Sequence, residues 1–388
     1  MKFFHLADLH IGFPLKANEK NFDYAKQLNF IIEKAKEFHI DAMVIAGDVF
    51  HMRDPDVTSQ RLFAKFIKDV ALNGIEVLIV TGNHEGSPFR ERNVHLDIYK
   101  ELPLNFMHIS KLPEVYTIKG VNFITLPYPF KTNLLSKDEY RGKSEEEVLN
   151  ELNAKLLLTL DSLLSNIKNH YMNILVAHLP VSEGKQGSEM YVNFAKENPL
   201  SIEELDRENI SYFALGHLHK TQILQSRKFN HMFVYPGSLD RVDFGEEQDK
   251  KGFYFVDTEN TSPQFIENPY ARAFYTIEID SDASFDEIEV EKVKRSITRI
   301  VINGDLENEA HLRDTIEFLR RESVAFTGVV DNRMLKTVTR DAIYEAREPL
   351  SMLEEYIEKV PDAKIKKNKE NILKEAREIL EELKNSGT

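Results

Sequence analysis

Five short stretches place side chains that bind metals or carry protons directly behind apolar runs. ADLHIG sets Asp8 and His10 after Phe3-Phe4-His5-Leu6, and AGDVFH sets Asp48 and His51 after Ala42-Met43-Val44-Ile45. TGNHEG gives Asn83, His84 and Glu85 after Val77-Leu78-Ile79-Val80. AHLP gives His178 after Ile174-Leu175-Val176, and GHLHK gives His217 and His219 after Tyr212-Phe213-Ala214-Leu215. One Asp or His in such a place is ordinarily a cap or a solvated turn residue. Five strands that each end in carboxylate, amide or imidazole donors form a pattern that turns alone do not produce. Ligand sites of α/β sheets gather at the carboxyl ends of strands. Residues i and i+2, such as His217 and His219, point to one side of an extended chain.

These donors balance as two metal sites. Asp8, His10, Asp48 and His219 make one; Asp48, Asn83, His178 and His217 make the other, with Asp48 shared. Asn83 and the imidazoles are neutral, so two divalent ions against two aspartates leave a centre of about +2. Such a centre attracts a phosphodiester. Two ions ~3.5–4 Å apart activate water at neutral pH and hold the attacking and leaving oxygens in line. Imidazole, carboxylate and amide donors without thiolate suit Mn, Fe or Zn. The chain has no cysteine, which excludes a zinc–thiolate site, a disulfide and a cysteine nucleophile. His5, His39, His95, His108, His170, His231 and His311 lack the strand-end setting and are assigned no function.

The elements that must position these residues alternate along the first ~270 positions. Ala25, Leu28, Ile31, Ile32, Ala35 and Phe38 recur at helical spacing, as do Leu62, Phe63, Phe66, Ile67 and Val70, with Thr58 as N-cap. Further strands are expected at Phe123–Leu126, Phe233–Tyr235 and Phe253–Val256. The pattern predicts an α/β core of mixed sheets. A small α+β unit follows: strands at Phe274–Ile279, Arg299–Ile302 and Ala325–Val330, and a helix from Glu307 to Arg321. Beyond Arg347 two charged, amphipathic helices are expected, Leu350–Val360 and Asn371–Leu383, separated by Pro361.

At 388 residues, two or three units are expected. No apolar run approaches the ~20 residues that span a membrane, and Asp8 interrupts the N-terminal apolar stretch. A cytoplasmic protein is expected, with no membrane contact. The net charge of −14 opposes a broad nucleic-acid-binding face. A phosphate site needs only local positive charge, which bound ions supply.

In this order, DLH, GDVFH, GNHE, AHLP and GHLH resemble the five motifs of calcineurin-like metallophosphoesterases. ADLHIG, the histidine of GDVFH and the block YPGSLDRVDFGEE (Tyr235 to Glu247) are similar to one branch, the SbcD and Mre-eleven type nucleases. The resemblance implies two stacked mixed β-sheets flanked by helices over residues 1–270. It implies a capping, DNA-recognition α+β domain at 271–338 and a helical segment at 345–388. That segment would bind a coiled-coil ABC ATPase of the SbcC or Rad-fifty type. It implies a Mn-dependent double-strand exonuclease and single-strand endonuclease, working as a homodimer in DNA end processing and repair. Asp8, His10, Asp48, Asn83, His178, His217 and His219 match the ligands of two manganese ions. His84 matches the histidine that stabilises or protonates the leaving group, and His51 a second phosphate-side histidine. One departure concerns the third motif, where Glu85 replaces the family's usual Asp. A carboxylate one methylene longer either orients the preceding histidine from a shifted backbone or faces solvent.

A phosphomonoesterase or nucleotide phosphodiesterase on the same core is the competing enzyme. A non-catalytic scaffold is opposed by the complete ligand set. Arg53, Arg90, Arg92, Lys131, Lys185 and Lys220 are the basic residues near the motifs that could meet phosphate.

Overall fold

The computed structural model describes residues 1–13, 24–86, 94–101, 106–136, 141–167, 171–185, 199–260, 262–304, 306 and 309–333. Of the C-terminal part it describes 353, 357, 368–374 and 376–377. In chain order the strands are β1 (Lys2–Leu6), β2 (Ala42–Ala46), β3 (Glu76–Val80), β4 (Met107–Ser110), β5 (Glu114–Ile118), β6 (Val121–Leu126), β7 (Met172–His178), β8 (Tyr212–Gly216), β9 (Gln222–Gln225), β10 (Met232–Tyr235), β11 (Gly252–Asp257), β12 (Gln264–Glu267), β13 (Ala273–Ile279), β14 (Ser296–Ile302) and β15 (Ala325–Asp331). One six-stranded sheet runs β12-β11-β1-β2-β3-β4, and a second runs β5-β6-β7-β8-β10-β9. Both are mixed: β1–β2–β3–β4 and β6–β7–β8–β10 pair in parallel, while β11, β12, β5 and β9 pair antiparallel.

The apolar strands are unbroken runs because both of their faces are covered. Phe3, Val44 and Leu78 of the first sheet pack with Phe123, Ile174 and Tyr212 of the second in one buried layer. On the far side, Phe4, Met43 and Ile79 meet helices α1 (Tyr24–Phe38) and α2 (Val57–Leu72). The opposite outer layer sets Ile124, Leu175 and Phe213 against Leu156, Leu160 and Leu164 of α3 (Glu145–Asn166). The fold is therefore α/β, with two stacked mixed sheets flanked by helices, as the sequence predicts.

Helix α2 starts one residue earlier than its expected cap. Asp56, not Thr58, is the N-cap, and its carboxylate accepts the N–H groups of Thr58 (2.7 Å) and Ser59 (3.0 Å). A negative charge there is favoured by the helix dipole as well as by the hydrogen bonds. Helix α3 has a capping box at Ser144 and Glu147. It buries Val148, Leu152, Leu156, Leu160 and Leu164, one residue per turn.

A third sheet runs β13-β14-β15, with helix α4 (Glu309–Glu322) between its last two strands. Phe274, Ile297 and Ala325 form its small core, with Phe244 packed against them. Contacts divide the chain into Met1–Val301 with Leu306–Val329, and Ile302–Asp305 with Val330–Thr388. In the second unit, Leu353, Ile357, Asn371–Lys374, Ala376 and Arg377 are helical, and Ile357 and Leu373 are buried. The rest of the two expected C-terminal helices lies outside the described residues. No helix among the described residues is long and apolar enough to cross a membrane.

Candidate metal centre

The ends of β1, β2, β3, β7 and β8 meet at one place, and all seven expected ligands gather there. Asp8, His10 and His219 offer ligand atoms within 4.8 Å of one another, and so do Asp8, Asp48 and His178. Asp48 Oδ2 lies 3.4 Å from His178 Nε2 and 3.9 Å from His10 Nε2, between the two proposed sites. Asn83 Oδ1 is 3.0 Å from both His178 Nε2 and His217 Nδ1. His10 Nε2 and His219 Nε2 face each other at 2.9 Å.

Reaching these positions strains the backbone. Asp8, His10, Asp48 and His217 have φ of 50°, 44°, 51° and 95°, in the left-handed region that side chains avoid. Each such residue costs about 1–3 kcal/mol and persists only where its surroundings impose it. The loops impose it by pairing: Asp8 N–H donates to Gly47 O (3.0 Å), His10 N–H to Asp48 O (3.0 Å) and Ile11 N–H to Val49 O (2.9 Å). Gly47, at φ 91°, is held to glycine by contact as well, since a Cβ there would lie 1.9 Å from His178 Nδ1.

Glu85 completes the clamp. It is buried, and its two oxygens accept four backbone N–H groups: Gly82 (2.7 Å), Val49 (2.7 Å), Asp48 (3.0 Å) and Phe50 (3.3 Å). Neither expected role is observed. The side chain faces inward rather than to solvent, and it fixes the main chain around Asp48 instead of the His84 ring. Its extra methylene lets one carboxylate span two loops. Burial and the nearby Asp48 charge push its carboxyl up to about 7, against the N–H groups that favour the charged form.

Second partners fix the imidazoles. A carbonyl or carboxylate only accepts, so the ring nitrogen facing it carries the proton. His178 Nδ1 donates to Ala46 O (2.7 Å), so Nε2, which faces Asp48 and Asn83, is the nitrogen that gives up its proton to a bound ion. His219 Nδ1 donates to Glu246 Oε1 (3.0 Å), which leaves its Nε2 lone pair toward Asp8 and His10. Imidazole nitrogens converging from the ends of β7 and β8 on two buried carboxylates are what a cation site needs, so the residues fit two divalent ions. Burial would lower His178, but the Asp48 carboxylate raises it to about 10. Burial would raise Asp48, and His178 holds it well below the usual range. Burial pushes Asp8 up and His10 down. A carboxylate and imidazole that compensate each other this way offer their charge to a cation that replaces the proton.

His84 and His51 stand beside this ring. His84 donates its backbone N–H to Asp48 Oδ1 (2.9 Å) and its Nδ1–H to His51 O (2.5 Å), so Nε2 turns inward, 3.9 Å from Asp48 Oδ2. His51 lies half-buried against Phe13, His84 and His10, with ring centroids 4.5, 5.3 and 5.5 Å away. Burial, aided by His84, pulls it down to about 4, so it is neutral at pH 7.

The basic candidates fare differently. Lys220 is tied to Asp249 at 3.3 Å. Arg53 is half-buried and Lys185 exposed. Lys131 lines a cleft of about 490 Å³ with Tyr128, Phe130 and Lys143. Tyr128 also touches the His217 ring, at 5.7 Å between centroids. Arg90 and Arg92 lie outside the described residues, as does His170. His95, His108 and His231 pair with Asp54, Glu76 and Asp206 away from the centre. The sequence singled out Glu85 without its role as a backbone clamp, and it gave no sign of the supporting carboxylate Glu246. Glu246 sits in the block that marked the nuclease branch, but nothing in its spacing announced a contact with His219.

Residues 1–221 match the calcineurin-like phosphoesterase family. A dimetal phosphatase from Danio rerio, known from its crystal structure, is similar at 13% identity and a TM-score of 0.37. The similarity covers 66% of this chain and 91% of that one. The family match takes in more than half of the chain and every one of the five strand-end stretches. The chain therefore belongs to the calcineurin-like phosphoesterases, hydrolases built around two metal ions.

Proposed function

We propose that this phosphoesterase is a Mn-dependent DNA nuclease, a double-strand exonuclease and single-strand endonuclease acting on DNA ends. It works as a homodimer with an SbcC or Rad-fifty type ATPase held by residues 345–388. The observation that carries the reading is the three-stranded sheet added after the phosphoesterase core, which a small-substrate enzyme does not need. The resemblance of ADLHIG, GDVFH and YPGSLDRVDFGEE to the nuclease branch supports it.

In the proposed mechanism Asp8, His10, Asp48, Asn83, His178, His217 and His219 hold two Mn²⁺. When bound, the ions would supply water activation and a clamp on the phosphoryl oxygens. The chain's own residues do the rest. His84 is held by His51 O with Nε2 facing inward, and in its protonated form that nitrogen gives a proton to the leaving oxygen. Neutral His51 sits on the same side and hydrogen-bonds the phosphate without adding charge. Asp48 holds the His84 backbone, so ligand and acid move together.

The competing reading is a phosphomonoesterase or nucleotide phosphodiesterase. The net charge of −14 and the pairing of Lys220 with Asp249 favour it, since both weaken a long DNA contact. The two separate in one assay with Mn²⁺, using linear double-stranded DNA beside p-nitrophenyl phosphate. DNA degradation that stops on chelation is expected; turnover of the monoester alone would overturn the nuclease reading. Truncation after Arg347 is expected to end ATPase binding and to spare cleavage of simple substrates. Pull-down at full-length strength would remove the role given to the tail.

A further inference from the structure

His219 is held differently from the other imidazoles of the centre. His178 donates to a backbone carbonyl, whereas His219 meets a carboxylate that has its own buried cation. Glu246 Oε1 takes the His219 Nδ1 proton at 3.0 Å. Glu246 Oε2 accepts Val242 N–H at 3.0 Å and lies 2.9 Å from Lys251 Nζ. Neither Glu246 nor Lys251 exposes any side-chain surface. An ammonium has three protons to place, and Lys251 places all three. They go to Glu246, to the Ser238 hydroxyl at 2.8 Å and to the His219 backbone carbonyl at 3.0 Å. The pair therefore grips one residue at both ends: Glu246 at the ring, Lys251 at the main chain.

A fully buried ion pair is a weak source of stability, because desolvation offsets much of the attraction. Its geometry here suits another purpose. We propose that Glu246 and Lys251 are a positioning pair for the metal centre. Glu246 holds His219 in the Nδ1–H tautomer with its Nε2 lone pair aimed at a bound ion. Lys251 cancels the charge of Glu246, so the orienting carboxylate does not reduce the positive surplus that attracts phosphate. The inference rests on the two-metal reading above. A carboxylate behind a ligating histidine raises the basicity of the ring and is worth 10–100-fold in metal affinity. A backbone carbonyl would fix the same tautomer with less basicity, so the affinity of the His219 site is set by this pair.

The metal-free wild-type protein gives the first test. Nitrogen-15 shifts of His219 are expected to show the proton on Nδ1; a proton on Nε2 would overturn the proposal. Manganese titration by calorimetry gives the second, on wild type and on the double variants E246Q/K251M and E246A/K251M. Each double variant removes both charges together, so no lone buried ion is left. The Gln variant keeps an acceptor for Nδ1–H and the Ala variant does not. One of the two Mn²⁺ sites is expected to weaken, by about 10-fold with Gln and up to about 100-fold with Ala, while the other is unchanged. E247Q is the control: Glu247 holds Thr276 rather than a ligand, so both sites stay as in wild type. Wild-type affinity at both sites in E246A/K251M would refute the positioning role. A wild-type protein that binds no Mn²⁺ would instead refute the two-metal reading.

Discussion

The two sheets supply the centre in different ways. The first provides every oxygen donor, Asp8, Asp48 and Asn83, together with His10; the second provides only imidazoles, His178, His217 and His219. Carboxylate and amide side chains are short, so the main chain itself must come to the ion. That is why Asp8 and Asp48 sit in left-handed backbone and why Glu85 collects four N–H groups to hold the loops there. An imidazole reaches further, and the second sheet gives His178 as the last residue of β7. What must be fixed there is ring orientation, and single acceptors do that: Ala46 O behind His178 and Glu246 behind His219. The carboxylates need a clamped backbone, and left-handed turns also serve His10 and His217; His178 and His219 are fixed by a partner at the far ring nitrogen.

The largest effect is expected from Asp48→Ala, because Asp48 faces ligands from both sheets. Both Mn²⁺ ions and all turnover should be lost, a larger effect than the ~100-fold that an outer partner is worth. A full complement of two ions in the variant would remove Asp48 from its shared role. Next in size is His84→Ala. Cleavage should fall ~10²–10⁴-fold with Mn²⁺ affinity unchanged, since general acid catalysis is worth about that much. Loss of an ion on titration would place His84 among the ligands instead. Glu85→Ala attacks the first sheet alone. It strips the acceptor from four buried N–H groups, so stability should fall by roughly 3 kcal/mol or more in urea unfolding. Weaker Mn²⁺ binding should accompany this loss. If Glu85→Ala unfolds at the wild-type midpoint, the clamp has no energetic content.

The smallest predicted effect depends on pH and lies away from the ligands. His5 is fully buried against the Tyr212 hydroxyl, at 3.1 Å, and burial lowers it from 6.5 to about 3. The folded state keeps it neutral, while the unfolded chain takes up a proton below pH 6.5. Its contribution is therefore complete above pH 6.5 and is lost as the pH falls toward 3. At ~1.4 kcal/mol per unit, wild type should lose about 3 kcal/mol more than His5→Gln between pH 6.5 and 4. Parallel pH curves from urea unfolding would show that His5 is protonated in the folded protein.

What the sequence made legible follows from this division. Central strands were readable because covering on both faces makes them unbroken apolar runs, as in Ala42–Ala46. The edge strands Gln222–Gln225 and Gln264–Glu267 were not, because each is half polar and half exposed. Helix α3 carries a clear capping box and a leucine every fourth residue, and its absence from the expected elements was a missed signal. The ligand residues could be found because each follows a strand that the pattern shows. Glu85 and Glu246 could not be assigned roles, because their work is long-range: one reaches back 37 residues to Asp48, the other 27 to His219. Hydrogen bonds across loops leave no period in the chain.

The central claim is that side chains from two sheets make one centre for two ions. Calorimetric titration of the metal-free protein with Mn²⁺ measures it directly. Two ions per chain are expected, with uptake accompanied by proton release as His178 gives up its proton. A single ion per chain, or none, would contradict it.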